Sequence, residues 1–186
     1  MAHSVEIVEA YRSYSPPQWV RRTVDRILSR LPPKYLTGLK TIVLTDAAGL
    51  NHERRRAKTS ARKKKFKIAE CRGLYHRKWK GEPAWIELFV DNIVPYCIAW
   101  LRFTHDLEIG EVLAHEIGHH IHATKAPEHK EPEGVADKWS ARLMGSYFRR
   151  RYWYLLPIHV IIRACKWITL LFRRKRKKQR MNRSTN

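Results

Sequence analysis

The chain has 186 residues, enough for one domain with an apolar core plus appendages. Hydrophobic residues make up 44% of it, which excludes a wholly disordered chain. The net charge of +21 is concentrated: Arg54 to Lys67 carries nine basic residues and no acid, Arg173 to Asn186 carries eight and no acid, and the remainder holds 21 basic residues against 17 acidic ones. The body is therefore ordinary, with two basic attachments that attract polyanions, either nucleic acid or an anionic membrane surface. The N-terminal residues contain acids and no continuous apolar run, so no secretory signal is expected. Cys71, Cys97 and Cys165 are odd in number and far apart, which argues against a disulfide framework and for a reducing compartment. The expected location is the cytoplasm, with peripheral attachment to the inner membrane face as the option that the basic segments open.

Ser15-Pro16-Pro17 reads as a helix start, a capping serine followed by first-turn prolines. Val20, Val24, Ile27, Leu28 and Leu31 recur at helical spacing before Pro32-Pro33 ends the run. Leu39 to Asp46 ("LKTIVLTD") is rich in β-branched residues and predicts a buried strand. The basic segment 54–67 follows as a long surface loop. Ala69 to Arg77 and Ala84 to Ile93 predict a hairpin turning near Lys80-Gly81-Glu82-Pro83. One helix is expected from about Asp106 to Thr124, stopped by Ala126-Pro127, and another from Pro132. This order predicts an α+β fold: a small, mostly antiparallel sheet, a histidine-bearing helix and a second, glutamate-bearing helix, all within residues 1–150.

Residues 151–172 are strongly apolar, but His159, Arg163 and Lys166 fall on one helical face and Pro157 lies near the start. That pattern suits a helix lying in a membrane interface, or an amphipathic helix packed on the domain, better than a membrane span. Residues 173–186 read as a disordered basic tail.

The chemistry concentrates in "LAHEIGHHIHATKAP", Leu113 to Pro127. His115 and His119 are four residues apart, so a helix sets both imidazoles on one face within reach of one ion. Glu116 points differently but can reach a water beside that ion. This is the HExxH arrangement of zinc hydrolases. A catalytic zinc site needs a third protein ligand and an open position. His122 lies roughly 10 Å beyond His115 along a regular helix of ~1.5 Å rise per residue, too far to share the ion. The remaining candidates are Glu128, His129, Glu131, Glu133 and Asp137. Glu133 is the expected ligand, fourteen residues after His119, with Asp137 one turn on to accept a hydrogen bond from a ligand histidine and orient its ring.

His115 to His119 (HEIGH) followed by Glu133 to Asp137 (EGVAD) resembles the HExxH…ExxxD pattern of the gluzincin zinc metallopeptidases. The short chain is most similar to their compact members, the minigluzincins and the ImmA/IrrE-type peptidases. The resemblance covers roughly Leu39 to Tyr147. It implies a zincin-like fold, one Zn2+ ion, and a protein or peptide substrate lying along the edge strand before the active-site helix, by position Ala84 to Ile93. It also implies an oxyanion-steadying histidine or tyrosine, for which Tyr147 and His105 are candidates.

The expected function is zinc-dependent peptide hydrolysis, with zinc on His115, His119 and Glu133 and with Glu116 as general base. The alternative is a basic adaptor bound to membrane or nucleic acid through 54–67 and 173–186, with a vestigial or structural metal site.

Overall fold

The structure is a computed structural model that describes residues 5–61, 64–98, 100–125, 127 and 132–155. The chain forms two units, Met1–Tyr147 and Phe148–Asn186, and everything below concerns the first unless stated. Helices are mixed with a small sheet, as the expected α+β class requires.

Four strands build the main sheet: β1 (Glu6–Glu9), β2 (Leu39–Thr45), β5 (Gly73–His76) and β6 (Ala84–Phe89), in the order β1-β2-β6-β5. β1 pairs with β2 and β2 with β6 in parallel, and only β5 with β6 is antiparallel. The expectation of a mostly antiparallel sheet is thus corrected. The reason is a connection the sequence hid. β1 is a four-residue edge strand among acids, too short to show a period. The helix α1 (Trp19–Leu28) carries the chain back from it to β2, and a parallel neighbour requires such a crossover. α1 buries Val20, Val24, Ile27 and Leu28, the apolar stripe expected. It starts beyond the two prolines, with Gln18 rather than Ser15 at its N-cap and no side-chain cap bond.

The two arms of the expected hairpin are β5 and β6, shorter than foreseen. Lys80 and Gly81 at the turn both have positive φ, 43° and 90°, as a two-residue turn matched to strand twist demands. Alternation along β6 divides the sheet into two faces. Ile86 and Leu88, with Ile42 and Leu44 of β2 beside them, are almost fully buried on one face. Tyr75 and Gly73 lie opposite them on β5 and also turn to that side.

The basic segment is not a loop. His52–Arg56 form α2, whose Asn51 cap accepts the Arg54 amide at 2.8 Å. Lys58–Ala61 (β3) and Lys64–Lys67 (β4) then pair as an antiparallel ribbon. Like charges within the segment oppose compaction, and the compensation comes from outside it. The Arg54 guanidinium donates at 2.5 Å to Glu87, a buried carboxylate on the second face of the sheet.

α3 (Arg102–Lys125) begins four residues before the expected Asp106. Asp106 does not open the helix; it lies fully buried inside it, where it accepts from Arg26 of α1 and, at 2.6 Å, from the Tyr147 hydroxyl. Tyr147 belongs to α4 (Pro132–Arg151), which starts at Pro132 as expected. One carboxylate therefore ties three helices together. Among the described residues no helix is long and apolar enough to cross a membrane. Trp153–Leu155 form a single 3-10 turn, and the expected C-terminal apolar helix and basic tail lie, from residue 156 on, outside the described residues.

Candidate metal centre

His115 and His119 stand one turn apart on α3, and Glu133 stands in the first turn of α4. Their ligand atoms all fall within 4.8 Å of one another. The two Nε2 atoms are 3.2 Å apart, and each lies 3.6 Å from a Glu133 oxygen. A tetrahedral ion with bonds of about 2.0–2.1 Å to nitrogen and oxygen sets its ligands about 3.3 Å apart. The donor set and its spacing thus fit one ion of that kind. Glu128, His129 and Glu131, the other candidates for the third ligand, lie outside the described residues.

Two further features suit the site to a cation. The Asp137 carboxylate lies 3.2 Å from His115 Nδ1, so that nitrogen carries the proton and Nε2 keeps its lone pair for the ion. Burial, followed by the neighbouring His115 and His122, lowers the pKa of His119 to about 4, so its ring is neutral and free of proton competition near pH 7.

Glu116 lies beneath β5, against Gly73 and close to Glu133, and is only 7% exposed. Burial, then the negative charge of Glu133, pushes its pKa up to about 8; a hydrogen bond from the Tyr75 backbone amide opposes them in part. A divalent cation held by Glu133 and the histidines pulls the same carboxyl back down. Such a group can hold a proton or release it near neutral pH, according to what sits beside it.

Two glycines make this arrangement possible, and neither was singled out from the sequence. A Cβ on Gly118 would stand 2.7 Å from the backbone of Ala136, so only glycine lets α4 approach closely enough to bring Glu133 and Asp137 onto the histidines. A Cβ on Gly73 would stand 2.9 Å from the side chains of Glu116 and Val112, so a side chain there would displace the Glu116 carboxyl. Each carries a signal that could have been used. Glycine costs about 1 kcal/mol against alanine inside a helix, and an isolated glycine in a strand marks a close approach.

Several expectations are corrected. The edge strand beside the site is β5, not the Ala84–Ile93 strand, which runs inside the sheet between β2 and β5. His120, next to the second ligand histidine in the chain, is not at the centre and is only 1% exposed. Its Nε2 donates to the Thr37 carbonyl at 3.0 Å, and its Nδ1 accepts from the Tyr75 hydroxyl at 3.2 Å. His105 donates to the Ile98 carbonyl and stacks on Trp19. Ten residues of helix, about 15 Å at 1.5 Å per residue, separate it from His115. Tyr147 is committed to Asp106, one residue further on. Neither oxyanion candidate is at the centre.

The chain matches no protein-family model, and no characterised protein and no solved structure is significantly similar to it. The likeness to gluzincins rests on the site residues themselves.

Proposed function

We propose that the protein is a zinc-dependent metallopeptidase of the gluzincin type. The observation that carries this reading is the convergence of His115, His119 and Glu133 next to a buried carboxyl, Glu116, that has no cation among its described partners. Zinc bound there supplies Lewis acidity, polarising a peptide carbonyl and acidifying a water. Glu116 takes the proton of the attacking water and passes it to the leaving amine nitrogen. The Tyr75 amide holds the Glu116 carboxylate in position, and Asp137 holds the His115 ring. A purely structural site has no use for a general base and is usually closed by four protein ligands, which disfavours the adaptor reading.

The reading places the enzyme in the cytoplasm. The basic charge of residues 54–67 and 173–186 would there meet an anionic membrane face or nucleic acid, and liposome flotation and DNA retention at two salt concentrations separate the two. The central test is metal analysis of wild type, Glu116→Gln and Glu133→Ala, purified without chelators, alongside cleavage of a casein-derived peptide mixture. Stoichiometric zinc in wild type and Glu116→Gln, with cleavage only in wild type, is the expected result. Wild type without zinc overturns the proposal.

A further inference from the structure

Beyond the ligand histidines, α3 carries His122 on the same helical stripe, about one turn past His119. A cavity of about 340 Å3 opens there, lined by His122 and Thr124 from α3, by Tyr75, Arg77 and Lys78 from β5 and the residues after it, and by Ala84. Its size is at the small end of ligand cavities, about 300–1,000 Å3, and suits one side chain rather than a run of peptide. Within its lining Tyr75 and His120 are hydrogen-bonded to each other, and His120 to Thr37. The rim is cationic: Arg77 and Lys78 are exposed there, and no acidic residue lines the cavity among the described residues.

The cavity and the metal centre are built on the same two elements, β5 and α3, though no metal ligand lines the cavity. β5 passes over Glu116, to which Tyr75 gives its amide, and leads directly to Arg77 and Lys78. On α3 the step from His119 to His122 rises about 4.5 Å. One extended peptide residue spans about 3.3–3.6 Å, so a peptide held at the metal needs only one or two residues to cover that rise.

We infer that this cavity is a specificity subsite for a carboxylate-bearing residue of the substrate, with Arg77 and Lys78 as the selecting groups. The inference rests on the peptidase reading. A carboxylate gains charge-assisted hydrogen bonds from the rim, whereas a lysine at that position meets like charge. The carboxylate can belong to an aspartate or glutamate side chain or to the end of the chain.

The test uses the full-length zinc-loaded protein and quenched fluorescent peptides. Aspartate, glutamate, alanine and lysine are scanned through the three positions on either side of the cut, each with a free and an amidated C-terminus. An acidic residue at one fixed position should raise kcat/KM about tenfold over alanine, the worth of one charge-assisted bond. If amidation removes that gain, the selected carboxylate is the chain end; if it does not, it is the side chain. Arg77→Glu/Lys78→Glu should invert the preference toward lysine, and both positions are exposed, so folding is checked simply by circular dichroism and zinc content. Equal rates for acidic and neutral peptides in wild type, or an unchanged preference in the double variant, overturn the inference. If no peptide is cut, the peptidase reading fails instead. Fluorescence anisotropy of the same peptides on Glu116→Gln then decides the cavity alone: acid-selective binding lost in Arg77→Glu/Lys78→Glu upholds it, and unselective binding overturns it.

Discussion

Glu87 and Glu116 are both nearly buried glutamates, 2% and 7% exposed, on opposite sides of one four-stranded sheet, yet they titrate in opposite directions. Burial pushes both carboxyls up. At Glu87, hydrogen bonds and charge from His76, at 3.2 Å, and Arg54, at 2.5 Å, outweigh burial and hold the pKa below the usual range. At Glu116 the nearest charge is another carboxylate, Glu133, and only a backbone amide resists, so the pKa rises to about 8. Depth alone thus says little about role. The first carboxylate is matched and fastens a basic segment to the sheet. The second is mismatched unless a cation arrives, which is the condition a metal-dependent general base requires.

The largest expected effect breaks the second side of that comparison. Glu116→Gln keeps the side-chain volume and removes the proton acceptor, so peptide cleavage should fall by about 10²–10⁴-fold with zinc content unchanged. In zinc-free protein the same substitution should act on stability with the opposite sign. The wild-type carboxyl is protonated in the folded chain up to about pH 8, while in the unfolded chain it releases its proton near pH 4.3. Folding therefore takes up a proton between those values, and wild-type stability declines as pH rises through that window. Urea unfolding in chelator should show Glu116→Gln gaining on wild type from pH 5 to pH 8. A parallel pair of curves would mean that the carboxyl is not held protonated.

The groups that hold the metal ligands in place come next. Asp137→Asn keeps the shape but weakens the grip on His115 Nδ1, and zinc affinity should drop about 10–100-fold by competition with a chromogenic chelator. Gly118→Ala attacks the same site from behind. Its methyl must push against the Ala136 backbone, which has no side chain to move aside, and moving α4 carries Glu133 away from the histidines. A loss of about 1–3 kcal/mol in stability should accompany the weaker zinc binding. If Gly118→Ala lowers stability but leaves zinc affinity intact, the helix contact does not position Glu133.

What was readable in the sequence was what neighbours in the chain decide. Two histidines four apart, and Glu133 and Asp137 four apart, declare shared helix faces, and the structure brings the four residues together. The β5–β6 hairpin was legible because its turn is local. What stayed hidden depends on partners far along the chain. β1 finds its place only against β2, more than thirty residues away, and four residues show no periodicity. The basic segment reads as repulsive because nothing within it balances its charge; its folding rests on Glu87, 33 residues beyond Arg54. In sequence His120 looks like the half-buried histidines around it in "HEIGHHIH", and its full burial is fixed by Thr37 and Tyr75, which only the fold brings near.

The smallest effect concerns the matched glutamate. Glu87→Gln leaves the volume unchanged but deprives Arg54 and His76 of an anion, and it should cost about 1–3 kcal/mol at pH 7. The sign of its pH dependence is opposite to that of Glu116. Because the folded pKa is depressed, the contribution of Glu87 is complete above the unfolded carboxylate value, near 4.3, and is lost as pH falls through the folded value. The gap between wild type and Glu87→Gln in urea should therefore be wide at pH 7 and narrow on acidification to about pH 3. Native-state hydrogen exchange should place the loss in α2 and the β3–β4 ribbon, with zinc content and cleavage unaffected. If Glu87→Gln instead disturbs zinc binding, the two faces of the sheet are coupled, and the division between a fastening carboxylate and a working one does not hold.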